Sequence, residues 1–122
     1  MAKGTTFLRA DSSGHMHLKV VISEPDPEGM VLVVSVTSAP ATRRFDDSCI
    51  LEAGSHEFII RRSYVSYVHS VELNNVAILN EKFRGELVSK PDVTPDVLQR
   101  IQDGARASRF LPRALKKHFA YF

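Results

Sequence analysis

The sequence predicts a mainly β domain with helices at its C-terminal end. Two observations carry this prediction. Short apolar runs rich in β-branched residues, punctuated by Gly and Pro, fill the chain from Leu18 to Leu73, and after Thr94 the apolar spacing turns from strand-like to helix-like. The 122 residues, 43% hydrophobic and 25% charged, suffice for one core, so a single domain is expected over 1–122. Its strands fall in about 5–90 and its helices in about 94–120.

Thr5–Arg9 alternates around Phe7 as a first strand, and Asp11-Ser12-Ser13-Gly14 is a polar loop. Leu18–Ser23 and Met30–Thr37 read as an antiparallel hairpin apolar on both faces, because the two prolines and the glycine of Glu24–Gly29 cannot continue a ladder. Pairing through that turn sets Leu18 opposite a residue near Ser35–Thr37. Ala39–Arg44 is a loop, Cys49-Ile50-Leu51 a short strand, and Ala53-Gly54-Ser55 a turn. From Ser63 to Leu73 the chain alternates, which sends Val65, Tyr67, His69, Val71 and Leu73 to one face and Tyr64, Ser66, Ser70 and Glu72 to the other. Five or six such strands suggest a small barrel. Thr94-Pro95 caps a helix carrying Val97, Leu98, Ile101 and Ala105, with Gly104 as its stop. Ser108 is expected to cap a last helix whose stripe is Leu111, Leu115 and Phe119.

Cys49 is the only cysteine, so no internal disulfide forms, and its apolar strand marks it as a small buried hydrophobe. No apolar run follows Lys3 and none is long enough to span a membrane, so a cytoplasmic protein without membrane contact is expected. The net charge of +2 is unevenly spread: Arg100–Phe122 holds six Lys/Arg against one acid, a face suited to solvent or to an acidic partner. No phosphate-binding glycine loop and no paired-ligand spacing is present, so no cofactor and no metal are expected.

The order of motifs is more specific than any one of them. Gly14-His15 precedes a strand ending Val20-Val21-Ile22-Ser23. Gly29–Val34 follows and the strand closes on Thr37-Ser38; next come Phe45, Ile50-Leu51, a Glu-Ala-Gly turn and the Ser63–Leu73 strand. Val93–Ile101 opens the helix. From Gly14 to Ala105 this order resembles the PemK/MazF family of bacterial toxins. The resemblance implies an SH3-like barrel that acts as a homodimer, cleaves single-stranded RNA without a metal, and is held inactive by a cognate antitoxin. Cleavage of that kind, by attack of the ribose 2′-hydroxyl on the adjacent phosphate, needs a base, an acid and a donor for the charged phosphorane.

The family's arginine falls on His17 counting back from Val20 and on Met16 counting forward from Gly14-His15. Histidine is the side chain suited to acid–base work near neutral pH, so His17 is the acid–base choice; Thr37 matches the family's strand-end hydroxyl. These are the catalytic pair expected from the resemblance, and the hairpin brings them to one end of the sheet. RNA contacts are expected from His15, Lys19 (the nearest permanent cation), Ser38, the loop arginines Arg43 and Arg44, and Tyr64 as a stacking ring. On the apolar face Tyr67 reads as core and His69 as a core or interface residue, with a role at the barrel mouth as its second reading. The resemblance puts His69 or a neighbouring serine or tyrosine near the place of the family's late-strand acidic residue. The alternative function is a non-catalytic module on the same barrel that binds a protein or nucleic acid after losing the arginine.

Overall fold

The computed structural model describes all 122 residues. Strands β1 (Thr6–Ala10), β2 (Met16–Val21), β3 (Met30–Ser38), β4 (Ile50–Leu51) and β5 (Ser63–Asn74) come first. Helix α1 (Asn75–Phe83), strand β6 (Leu87–Lys90), helix α2 (Pro95–Ala107) and a 3-10 helix (Arg113–Tyr121) follow. The chain is thus mainly β with C-terminal helices. Every pairing is antiparallel, in the order β4-β5-β3-β2-β1-β6, and the sheet curls into a half-barrel. Its edges, β4 and β6, do not pair with each other. The segment after β4 crosses the gap instead: His56 Nε2–H donates to Pro91 O at 2.6 Å, and Lys90 Nζ lies 4.3 Å from the Phe58 ring centroid.

The β2–β3 hairpin is the centre of the fold, and its apolar alternation explains why both faces are covered. Leu18 pairs with Val36, as the turn length requires. Leu18, Val20, Ile22, Leu32, Val34 and Val36 face a first core, closed by Val97, Ile101 and Ala105 of α2 and by Leu111. Leu115 and Phe119 of the 3-10 helix pack on the same core, so the C-terminal stripe is a packing face. Val21, Val31 and Val33 face the opposite way, into a smaller core with Phe7, Leu87 and Ile78 of α1.

Strand β5 departs from the simple alternation of its sequence. Between the pairs Val33–Val71 and Ser35–Ser66, the single β3 residue Val34 faces four residues of β5, Tyr67 to Ser70. This bulge swaps the faces. Val65 and Tyr67 enter the first core, whereas Leu73 packs on the second. His69, inside the bulge, is exposed and not on an apolar face, which corrects the sequence expectation.

The segment after β5 is also corrected: inside the region expected to be barrel strands lies α1, whose first N–H groups, from Val76 and Ala77, are accepted by the Asn74 side chain. Thr94 caps α2 as expected, accepting from Val97 N–H at 3.2 Å. Gly104 is not its stop, because α2 runs on to Ala107. Gly104 is instead a contact point, where a Cβ would meet Tyr67 Oη, Cys49 Cβ at 2.8 Å and Ser48 O at 3.0 Å. Nor does Ser108 cap the last helix; its hydroxyl donates to Asp46 Oδ2 at 2.6 Å, and the 3-10 helix starts after Pro112 without a side-chain cap. No helix is long and apolar enough to cross a membrane.

Candidate functional site

Helix α1 covers only part of the second face of the sheet. Beyond it, the same alternation that buries Val21, Val31 and Val33 presents His17 and Lys19 of β2, Ser35 and Thr37 of β3, and Tyr64 and Ser66 of β5. Cross-strand register sets Lys19, Ser35 and Ser66 in one row and Thr37 beside Tyr64 in the next. One step beyond Leu18–Val36, the ladder brings His17 to the side of Thr37. The result is a polar groove of about 370 Å³, walled also by Asp11, Arg43 and His69.

Three contacts organise it. Asp11 Oδ2 lies 2.8 Å from His17 Nε2, while its other oxygen accepts from the Ser13 hydroxyl and from the N–H groups of Ser13 and His15. The Ser13 hydroxyl first, and then the His17 ring, hold the Asp11 carboxyl far below the usual carboxylate range, so Asp11 is an anion at every ordinary pH. Lys19 Nζ donates to Ser35 Oγ at 2.6 Å. Half-burial, reinforced by the nearby Arg9 charge, pulls the Lys19 ammonium below its ordinary value. Arg9 is itself tied to Glu81 of α1 at 2.8 Å. Ser66 Oγ lies 2.7 Å from His69 Nδ1.

Each histidine therefore has one nitrogen tethered, with no protein partner on the other. A tethered Nε2 on His17 leaves Nδ1 for a ligand; a tethered Nδ1 on His69 leaves Nε2. Two imidazole rings, a half-buried ammonium and a hydroxyl in one groove are groups that can attract an anion and exchange protons with it. No protein-family model matches the chain, and no curated protein matches it significantly.

Of the residues expected from sequence, His17, Lys19, Thr37, Arg43 and Tyr64 meet in this groove. His15 does not; it sits exposed on the β1–β2 turn with Nδ1 2.9 Å from Ser13 Oγ. Ser38 alternates to the other face and lines a second cavity of about 270 Å³, which shares only His17 and Thr37 with the groove. Arg44 lines a neighbouring cavity of about 600 Å³, which shares Tyr64, Ser66 and His69 with the groove. Tyr64 packs on Phe45, ring centroids 4.7 Å apart. Sequence reasoning missed Asp11 and His69 as site members. Asp11 had a signal, since an Asp opening an Asp-Ser-Ser-Gly turn is positioned to accept from the residues after it. His69 had only its nearness to the family's late-strand position, while alternation set it on the apolar face; the bulge brings it to the groove. No three His, Cys, Asp or Glu side chains converge as a metal site.

Proposed function

We propose that this groove is the centre of a metal-independent endoribonuclease of the PemK/MazF kind, built on an SH3-like half-barrel and acting on single-stranded RNA. The observation that carries the reading is the joint presence of His17, His69 and Lys19 in one groove, each ring with a free nitrogen. In the proposed step the ribose 2′-oxygen forms a bond to phosphorus as the bond from phosphorus to the 5′-oxygen breaks. His17 Nδ1 takes the 2′ proton, with Asp11 stabilising the resulting imidazolium. His69 Nε2 gives a proton to the leaving 5′-oxygen. Lys19, with Arg43 and the Thr37 hydroxyl, bears on the charge of the phosphorane in place of the family's arginine. The products are a 2′,3′-cyclic phosphate and a 5′-hydroxyl end. The same reading carries a homodimer and a cognate antitoxin that covers the groove.

The test is incubation of the purified protein with labelled single-stranded RNA in a chelator. Fragments with 5′-hydroxyl ends are expected, and His17→Ala or His69→Ala is expected to slow their release by about 10²- to 10⁴-fold. RNA that is bound tightly but left intact by the wild-type protein overturns the enzyme and leaves the binding module.

A further inference from the structure

Resting on the ribonuclease reading, we propose that the larger cavity beside the groove is a guanine-binding subsite for a nucleotide next to the cleaved bond. The cavity measures about 600 Å³ and opens from the groove, because Tyr64, Ser66 and His69 line both. An RNA chain whose phosphate lies on Lys19 therefore has this cavity beside its path. Phe45, Tyr64 and Phe110 give it aromatic walls, and Val68 and Phe110 remain 55% and 47% exposed there, apolar surface that nothing in the chain covers. Unpaired bases are held by stacking on such rings.

The polar groups at this cavity decide which base. Asp46 is already engaged: it accepts from Ser48 N–H at 3.1 Å, from the Ser48 hydroxyl at 2.6 Å and from the Ser108 hydroxyl at 2.6 Å. Asp47 lines the cavity with no side-chain hydrogen bond or ion pair, and so do Arg44 and Arg109, the latter lying 5.3 Å over the Phe110 ring. A carboxylate with both oxygens free matches the one base whose Watson–Crick edge offers two adjacent N–H donors, the N1–H and N2 amino group of guanine. A guanidinium matches the O6 and N7 acceptors of that same base. Adenine and cytosine set an acceptor beside their amino group, and uracil flanks its N–H with two carbonyls. Each of these would turn a lone pair toward Asp47.

The experiment titrates the full chain with guanosine, adenosine, cytidine and uridine 5′-monophosphates while backbone amide resonances are followed by NMR. The amides of Asp46–Ser48 and Ser108–Phe110 are expected to shift with guanosine monophosphate at about tenfold lower concentration than with the other three. Asp47→Asn is expected to abolish that preference, and Phe110→Ala to weaken all binding, with dispersed spectra reporting that both variants fold. Equal response to the four nucleotides, no response, or a guanine preference that survives Asp47→Asn overturns the subsite. Cleavage of a mixed-sequence RNA, run in parallel, separates the two ideas. Guanine preference without cleavage keeps the subsite and removes the ribonuclease, and cleavage without any flanking guanine bias does the reverse.

Discussion

His17 and Asp11 lie 2.8 Å apart at the end of the β1–β2 turn, and Asp11 is held in place there by the Ser13 and His15 N–H groups. Asp11 does not face the reacting atoms in the proposed step; it positions the ring and stabilises its charged form. Asp11→Asn is therefore expected to lower kcat for RNA about tenfold with KM unchanged, and Asp11→Glu to recover part of the loss, as steady-state kinetics will show. Lys19 has a different part. Its ammonium is half-buried beside Ser35, and in the proposed step it faces the phosphate. Lys19→Met keeps the length of the side chain and removes the charge, so single-turnover cleavage is expected to slow about 100-fold. Neither role could be read from the alternation of β2 alone: the pattern places His17 and Lys19 on one face, but the partners of that face come from β3, β5 and the turn.

Among the elements, β5 and α2 are fitted to each other at one point. Tyr67 is fully buried, its hydroxyl donates to Ile101 O at 2.6 Å, and that hydroxyl occupies the space that Gly104 leaves open. Burial pushes the Tyr67 phenol above its ordinary range, so it stays a donor. Glycine inside a helix costs about 1 kcal/mol relative to alanine. Gly104→Ala is nonetheless expected to destabilise the protein by about 1–2 kcal/mol in urea unfolding, because overpacking against Cys49 and Tyr67 costs more than the helix gains. A glycine near a helix end reads as a stop in the sequence; the close approach of another strand is what it serves here. Helix α1 was hidden for a related reason. It buries Ile78 but leaves Val76 64% and Phe83 84% exposed, so its apolar residues trace no clear stripe.

At the scale of the whole molecule, acid is the condition that tests how the parts are held. Asp11, Asp26, Glu72 and Glu86 all have carboxyls held below their ordinary values. For Glu72 the main cause is the hydrogen bond from His118, a fully buried ring 2.8 Å away, followed by Lys117, and these contacts pin the 3-10 helix to β5. A carboxyl whose folded value is depressed contributes stability that is present above its unfolded value and lost as pH falls through the folded one. The thermal midpoint is therefore expected to fall steadily as pH drops from about 5 to about 3. Glu72→Gln, which removes one of these groups, is expected to make that fall shallower in calorimetric scans.

The sequence by itself determined the mainly β class, the β2–β3 hairpin with Leu18 set opposite the Ser35–Thr37 stretch, and the capped start of α2. All three follow from local pattern, since a period of two, a proline-rich turn and a Thr-Pro cap each act within a few residues. It also brought His17 and Thr37 to one edge, because register is set by the turn. Tertiary structure alone decided the bulge in β5, the part of the second face that α1 leaves open, and hence the arrival of His69 beside His17 and Lys19. A perfectly alternating strand carries no mark of where it must change faces. That choice is made by two cores on opposite sides of one sheet, one requiring Tyr67 and the other Leu73, and Val68 and His69 between them are turned out to solvent.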